Sequence, residues 1–392
     1  LLTLAGAIFV SVSSEFLPTG LLPDMAKDLG VSISTTGLLV TIFAATVVVA
    51  TTPLAAITRN VSRKALVILV LLVIALANVL AALAPTYEIL VGARVLGGLA
   101  HGLFWAVVAA YSAHLVPPQQ LGKAIAITGG GGSAAFVLGI PVGTALGHAF
   151  GWRMAFIVFA VIVAVLALLV VKFLPAVDHR VPLHTGEIAL PARKDRTLPL
   201  VLALCAVIIV IIGGQNVFYT YIAPWLTDVA GFADDATPVL LFLYGGGGVI
   251  GLLIAGFAYD RYPRRAFTIV VAAVPVSLVV LALSTSVPPV AVVALLLWSV
   301  AFGAINPMLQ TRMLRYSSVR MRDLAAALQT TAFNTAIGGG ALVGGRLLDS
   351  AGLRSLPWAE IIIVLVGLAG SIALDAWLSR RVRRGTGQSS LA

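Results

Sequence analysis

The sequence predicts an all-α membrane protein of twelve transmembrane helices, arranged as two pseudo-symmetric six-helix bundles. Three observations lead there. Of 392 residues, 60% are hydrophobic and 10% charged, where a water-soluble domain carries roughly 25% charged residues. A chain this apolar cannot cover its surface with polar groups and must turn much of it to lipid. The apolar runs come close to the ~20 residues that a bilayer requires, and the two halves echo each other across a polar centre.

Cutting at charge clusters and at Pro or Gly gives spans 1–23, 35–57, 65–84, 88–112, 123–149, 153–174, 198–223, 238–259, 266–286, 290–314, 323–347 and 356–378. The first begins apolar, without Met or a basic n-region, so it is expected to stay as a span on a trimmed start rather than leave as a signal peptide. Arg59-Asn60-Val61-Ser62-Arg63-Lys64 closes the second span. Between the third and fourth only residues 85–87 remain, which makes those helices a tight antiparallel hairpin. Glycines crowd the fifth span (129–132, 139, 143, 147), the eighth (245–248) and the eleventh (338–340, 344, 345). Their three- and four-residue spacing lets helix backbones approach and slide. A nucleotide-cradling loop is the rival reading, and it fails because no Lys-Ser/Thr follows these runs.

The longest polar stretch, 175–199, mixes Asp178, Arg180, Glu187, Arg193, Lys194, Asp195 and Arg196 with four prolines. It divides the chain into a first bundle (1–174), a cytoplasmic linker (175–197) and a second bundle with a short basic tail (198–392). Asp260-Arg261-Tyr262-Pro263-Arg264-Arg265 after the eighth span answers the cluster after the second, and the Gly-rich fifth and eleventh spans answer each other. Parallel six-helix repeats are a transporter architecture, with the substrate site near the midplane between them.

Charge sets the orientation. With both ends on one side, that side holds twenty of the 25 Lys and Arg; the other holds Lys27, Arg153, Arg346 and Arg354, and Arg94 lies inside a span. Asp24, Asp28, Asp228, Asp234 and Asp235 sit opposite the basic clusters. The positive-inside rule then makes both termini cytoplasmic, in a cell (inner or plasma) membrane. The net charge of +10 does not signal nucleic acid, because the basic residues cluster between apolar runs. Cys205 is the one cysteine, which excludes an intramolecular disulfide and gives no redox or metal site. The partners expected are the bilayer and a small-molecule substrate, with the protein a monomer.

Several motifs carry a family resemblance. Gly256-Phe257-Ala258-Tyr259-Asp260-Arg261 with Arg264-Arg265 resembles the loop signature of the major facilitator superfamily, Gly-x-Leu-Ala-Asp-Arg-x-Gly-Arg-Arg. The first-half loop keeps Arg63-Lys64 but has Arg59 in the place of the family's Asp. Arg94-Val95-Leu96-Gly97-Gly98 resembles its Arg-x-x-Gln-Gly motif, with Gly97 for Gln, and Gly139-Ile140-Pro141-Val142-Gly143 resembles the antiporter motif of proton-driven exporters. Ser14-Glu15-Phe16-Leu17-Pro18-Thr19-Gly20-Leu21-Leu22-Pro23 is similar to the first-span signature of the twelve-span drug–proton antiporters, in the branch for sugar, arabinose-polymer or chloramphenicol efflux. Gly151-Trp152-Arg153, Tyr219-Thr220-Tyr221-Ile222-Ala223-Pro224 and Ala230-Gly231-Phe232 fit that branch. The resemblance implies conformational roles for Gly139, Pro141, Gly143, Asp260, Arg261 and Arg264.

Among single residues Glu15 is the most informative. An acid inside a span costs ~2.5–3.5 kcal/mol and persists where it faces a cavity or a partner. Burial and a nearby cation act on its proton affinity in opposite senses, so that affinity can change with conformation. The bland reading is an interfacial anchor near Pro23. Arg94, about 9 Å below the outer end of the fourth helix, matches Glu15 at about 12 Å below the end of the first; the two form either a tuned pair or a fixed structural one. His101 and Trp105 follow Arg94 on the same helix face. His101 is a proton relay or a neutral hydrogen-bonded spacer, and Trp105 a cavity wall or plain packing. Asn216 and Tyr219 in the seventh span, and Phe302, Asn306 and Gln310 in the tenth, line the cavity or hold helices together. The second half is expected to hold no midplane acid, with Glu360 near the outer end of the twelfth span and Asp375 near its other end.

The expected function is proton-coupled efflux, by alternating access, of a small amphiphilic drug-like or sugar-like solute. No cofactor is expected beyond the proton, and no metal. The runner-up is a narrow-specificity sugar or nucleoside exporter; a channel or scaffold would leave a lone embedded acid beside an Arg unexplained. An enzyme is excluded because His101 has no His, Cys or nucleophile beside it in the sequence.

Overall fold

The computed structural model describes residues 1–58, 61–114, 121–175, 195, 197–318 and 321–388, with the backbone alone at 109–110, 112–114, 121–126, 260, 323 and 379–388. Twelve long helices follow one another: α1 (Leu2–Phe16), α2 (Ile33–Ile57), α3 (Arg63–Leu83), α4 (Tyr87–His114), α5 (Leu121–Ala134, a π turn at Ala135–Gly139, then Ile140–Phe150), α6 (Trp152–Phe173), α7 (Leu198–Tyr219), α8 (Thr237–Arg261), α9 (Pro263–Leu283), α10 (Pro288–Tyr316), α11 (Arg322–Ala351) and α12 (Leu356–Gln388). Most of the linker 175–197, Arg59, the side chain of Asp260 and those of the basic tail lie outside the described residues.

Eleven of the helices are long and apolar enough to cross a membrane. The exception is α11, whose Thr330, Thr331, Asn334 and glycines 338–340 dilute its apolar residues. Its 30 residues nonetheless pack along α2 and α7, both of membrane length, which sets it in a spanning position. On the outer helices the exposed stripe is aliphatic: Leu69, Leu72, Leu76 and Leu83 on α3, and Ile157, Val161, Val165 and Leu168 on α6. A water-facing helix would put polar residues on that face, so these stripes face lipid.

Two spans end earlier than the sequence predicts. A 3-10 turn, Leu17–Gly20, follows α1 and leads to a short helix Leu22–Leu29, while α7 stops at Tyr219 and a short helix Ile222–Asp228 follows. Pro18, Pro23 and Pro224 supply no amide proton and restrict the residue before them, which breaks each helix there. The two breaks are the same structure repeated. Gly30 and Gly231 are left-handed after the short helices, and Gly151 and Gly352 take positive φ before α6 and α12; these four are the positive-φ residues described. Each pair is separated by one constant interval along the chain, shared by Pro23 with Pro224, Tyr87 with Pro288, and Leu121 with Arg322.

Within the bundles α3 packs on α4 and α6, and α9 on α10 and α12. Between bundles α2 packs on α11, and α5 on α8. Glycine makes both crossings close. A Cβ on Gly245 of α8 would meet the Phe136 and Val137 backbone in the π turn of α5. Thr41 Oγ1 donates to Gly338 O at 2.9 Å between α2 and α11.

We call the end holding the termini the basic end and the opposite one the acidic end. At the acidic end the bundles meet: Tyr221 fills the space beside Gly37 and Gly345, and the short helix Leu22–Leu29 touches Ile222–Asp228. Toward the basic end, Asn306, Gln310 and Leu314 form an exposed stripe on α10. Amides on such a stripe face water, since lipid would leave them unsatisfied. The close bundle-to-bundle contacts lie toward the acidic end, where a cavity of about 310 Å³ remains between Gly20, Asp24 and His148 of one bundle and Ala223, Thr227 and Thr237 of the other.

Candidate functional site

The site forms where α4 crosses α1. Gly98 and Gly102 bring α4 against the α2 backbone near Phe43 and Val47, and Arg94, His101 and Trp105 line the adjoining stripe of α4. Arg94 uses its two terminal nitrogens to donate to the backbone carbonyls of Ser14 (2.9 Å) and Glu15 (2.7 Å). Its guanidinium lies over the Phe43 ring at 4.2 Å. Those carbonyls sit just before the break that ends α1, where the helix ladder runs out of amide donors. Arg94 replaces them.

The Glu15 side chain turns away from Arg94 toward His101. Glu15 Oε2 lies 3.3 Å from His101 Nε2, with both residues buried. Trp105, one turn on, donates its indole N–H to the same Nε2 at 2.8 Å. His101 Nδ1 lies 2.9 Å from Ser11 Oγ. Since an indole only donates, Nε2 is the accepting nitrogen and Nδ1 carries the ring proton toward Ser11. The Nε2 lone pair thus faces both Trp105 and a carboxyl oxygen. A carboxyl O–H satisfies that second contact; a carboxylate does not, unless His101 takes a proton at Nε2 and gives up the Trp105 bond.

Beside this triad Asn78 Nδ2 donates to Ser14 Oγ at 3.1 Å. A cavity of about 20 Å³ lies between Ser11, Ser14, Asn78, Arg94 and His101, roughly the room that one water occupies. Arg94 Nε is buried there without a hydrogen-bond partner, so a water in the cavity would have a donor to meet.

Gly139 and Gly143 support the site from behind. A Cβ on Gly139 would meet Ser13 and one on Gly143 would meet Leu17, so α5 lies directly on α1. Pro141 lacks the amide that would bond back to Val137, and the helix widens there into the π turn. The loop residues lie apart from this centre, at the basic end, where Arg261 stacks over Tyr262 and Arg264 is exposed.

The six expected cavity residues divide. Trp105 and Phe302 are half-buried, and Asn306 and Gln310 are exposed on α10. Asn216 and Tyr219 are enclosed: Asn216 donates to Ile212 O on its own helix and packs under Gly340, and Tyr219 stacks on Tyr244 at 4.9 Å. Tyr244 and Trp298 carry no functional reading in the sequence, yet with Gln215 they build a second polar cluster. Trp298 Nε1 donates to Gln215 Oε1 (3.1 Å) and Glu360 Oε1 (3.0 Å), and Gln215 Nε2 donates to the Tyr244 hydroxyl.

Glu360 does stand near the outer end of α12, one turn inside it, and is fully buried there at 0% exposure. Trp298 of α10 covers the carboxyl. Asp375 does lie toward the basic end, where it pairs with the buried Arg312. His148, in the last turn of α5, is a second histidine within a long helix, 3.4 Å from Asp24. Burial pushes the Asp24 carboxyl above the usual carboxylate range, against the pull of His148.

Two six-helix bundles closed on each other at one end, around buried polar groups, are the build of a secondary transporter. The profile of the Major Facilitator Superfamily matches residues 4–311 and 204–391. The chain belongs to that superfamily, a family of transporters and not of enzymes. A protein named Probable sugar efflux transporter, from Mannheimia succiniciproducens, is 28% identical over 380 residues, covering 97% of this chain and 94% of its own. Among solved structures, a bacterial homologue of the human lysosomal transporter Spinster, inward-facing and unoccupied, superposes with a TM-score of 0.77 at 16% identity over 95% of each chain. A D-xylose–proton symporter superposes with a TM-score of 0.76, also at 16% identity over 95% of each chain. These two share the fold.

Proposed function

We propose that this transporter exports a small neutral solute, sugar-like or amphiphilic, in exchange for protons, from a bacterial-type inner membrane with both termini in the cytoplasm. The observation that carries the reading is the contact of Glu15 with His101, whose other ring nitrogen and indole partner fix its tautomer. A proton on Glu15 suits the geometry as it stands. Moving that proton 3.3 Å to His101 Nε2 makes an ion pair and releases Trp105. Trp105 is half-buried, so the state of the acid is reported to a group that water or cargo can reach. Arg94 holds the α1 backbone in register under the acid while this happens.

The cargo class follows from the polar and aromatic groups that α10 offers. Asn306 and Gln310 offer amides and Phe302 an apolar face, whereas a permanent cation would call for exposed carboxylates. The name of the relative from Mannheimia supports sugars. The positive-inside rule supports the orientation, which makes the basic end, with its exposed Asn306 and Gln310, cytoplasmic and the loading side of an exporter.

The test is proton exchange in detergent on adding cargo. With a panel of neutral pentoses, hexoses and uncharged amphiphiles, at least one should bind and shift protons in weakly buffered solution. Binding without any proton shift across the panel and the pH range contradicts antiport and leaves facilitated diffusion.

A further inference from the structure

Among the described residues, Glu360 is an acid with no partner of opposite charge. Its carboxyl is fully enclosed, one oxygen accepts the Trp298 indole N–H, and the other, Oε2, is buried without a hydrogen-bond partner. The groups around it are neutral: Gln215 and Tyr219 from α7, Tyr244 from α8 and Trp298 from α10. α9 packs on α12 and carries its arginines at its other end. Along the chain the nearest charges are Arg354, exposed in the turn before α12, and Asp375, about 22 Å along the α12 axis. Arg346 and Asp349 of α11 are exposed as well. Glu360 stands beyond the first turn of α12, where the favourable field of the helix N-terminus has faded. An acid so placed is stable with its proton on. That proton holds no structural bond, because Oε2 has nothing to donate to; a glutamine would fill the same space and give the idle atom no more to do.

We propose that Glu360 is a second proton-binding site, filled in the conformation closed at the acidic end and emptied to water when that end opens. It lies one turn inside the acidic end of α12, so opening there brings water to Oε2. The step is a simple ionisation: the O–H bond breaks, the electron pair stays on the carboxylate, and the proton passes to water.

The site is wired to the bundle interface. Trp298 meets Tyr244 edge-on at 5.0 Å, Tyr244 stacks on Tyr219 at 4.9 Å, Tyr219 meets Phe136 of the α5 π turn at 6.4 Å, and Phe136 meets Phe16 at 5.1 Å. Phe16 follows Glu15. The two buried acids therefore stand at opposite ends of one aromatic chain that crosses between the bundles. Ionising Glu360 changes what Trp298 donates to, and with it the packing that Phe136 makes across the interface. The inference rests on the proton-coupled reading above.

Infrared difference spectroscopy on the purified full-length protein in detergent, titrated through acid and alkaline pH, reads the acid directly. The parent should lose protonated-carboxyl C=O absorbance in two components. Glu360→Gln should lack one and Glu15→Gln the other, and Glu360→Asp should restore a shifted component. A Glu360→Gln spectrum identical to the parent overturns the proposal. If that variant does not fold, Trp298→Phe keeps the acid but removes its donor; an unmoved component then overturns it equally. Loss of the Glu15 component alone defeats the second site and spares the coupling reading. A Glu360 component beside a Glu15→Gln protein that still accumulates cargo does the reverse.

Discussion

The first and second bundles share a scaffold and differ at its centre. Gly139 and Gly143 of α5 lie on α1, and Gly340 and Gly344 of α11 lie on α7 in the same way. Gly30 and Gly151 are repeated as Gly231 and Gly352. At the interval that relates these pairs, Glu15 becomes Asn216, Arg94 becomes Leu295, His101 becomes Phe302 and Trp105 becomes Asn306. The titratable centre of the first bundle is thus amide and aromatic in the second. Glu360 falls where the first bundle has Phe159, so the two buried acids are not copies of each other. Backbone contacts have been held to the repeat, while chemistry was placed in each half separately. A backbone departure among the described residues is Pro141, which has Leu342 opposite it and opens a π turn where α11 runs on as a helix.

A test of the shared scaffold should give the largest effect. A Cβ on Gly139 would stand 2.8 Å from Ser13 Cβ, and one on Gly340 would stand 2.8 Å from Asn216 Cβ. Gly139→Leu and Gly340→Leu should each destabilise by ~1–3 kcal/mol or more through overpacking, and transport should fall in step. Gly246→Ala, with nothing within 4 Å, is the control. Folded yield and thermal unfolding in detergent check this; a leucine tolerated in one half and lethal in the other breaks the equivalence.

The centre should answer to chemistry more than to size. Arg94→Lys keeps a charge but cannot serve two carbonyls in one plane, so one bond to α1 is lost. A charged hydrogen bond is worth ~1.5–3 kcal/mol, and uphill export should drop roughly tenfold or more, with Arg94→Ala lower still. Initial export rates measure it. Leu295→Lys, at the matching place in the second bundle, should fail to compensate.

The smallest effect belongs to the acidic end of the first bundle. Arg153 donates to Asp28 and to Ala84 O, and Trp152 donates to Asp28. The Arg153 hydrogen bond holds the Asp28 carboxyl below its usual range. A lowered folded value means that the stabilisation is present at neutral pH and fades as pH falls through that value. The pair is half-exposed, so its worth is about 0–1 kcal/mol. Parent protein should therefore lose a little stability below about pH 4, and Asp28→Asn should flatten that part of the curve. Melting temperature against pH reads the difference.

Most of the fold was legible because lipid imposes a simple rule on composition, and each helix lies within a few residues of its expected span apart from those broken at Pro18, Pro23 and Pro224 and α12, which runs ten residues past its expected end. The membership of the first site was legible as well, since Glu15, Arg94, His101 and Trp105 stand out as polar groups in apolar runs. Its wiring was not. Depth matching put Arg94 beside the Glu15 side chain, whereas the guanidinium is drawn to the carbonyls of a broken helix end and leaves the carboxyl to His101. The place of Glu360 near the outer end of α12 was legible too, but its burial was not, because burial depends on what neighbouring helices lay across it, here Trp298. Asn216 and Tyr219 were legible as polar groups at depth, but the one-dimensional pattern does not tell a cavity wall from a helix contact.

The central claim is that coupling resides in Glu15. Glu15→Gln keeps the shape and most of the hydrogen bonding but leaves nothing to ionise. In reconstituted vesicles with an imposed pH gradient, accumulation of a neutral sugar that the parent exports should be followed per folded transporter. The account predicts that the parent concentrates the sugar while Glu15→Gln only equilibrates it. A Gln variant that concentrates the sugar as well as the parent does would contradict it.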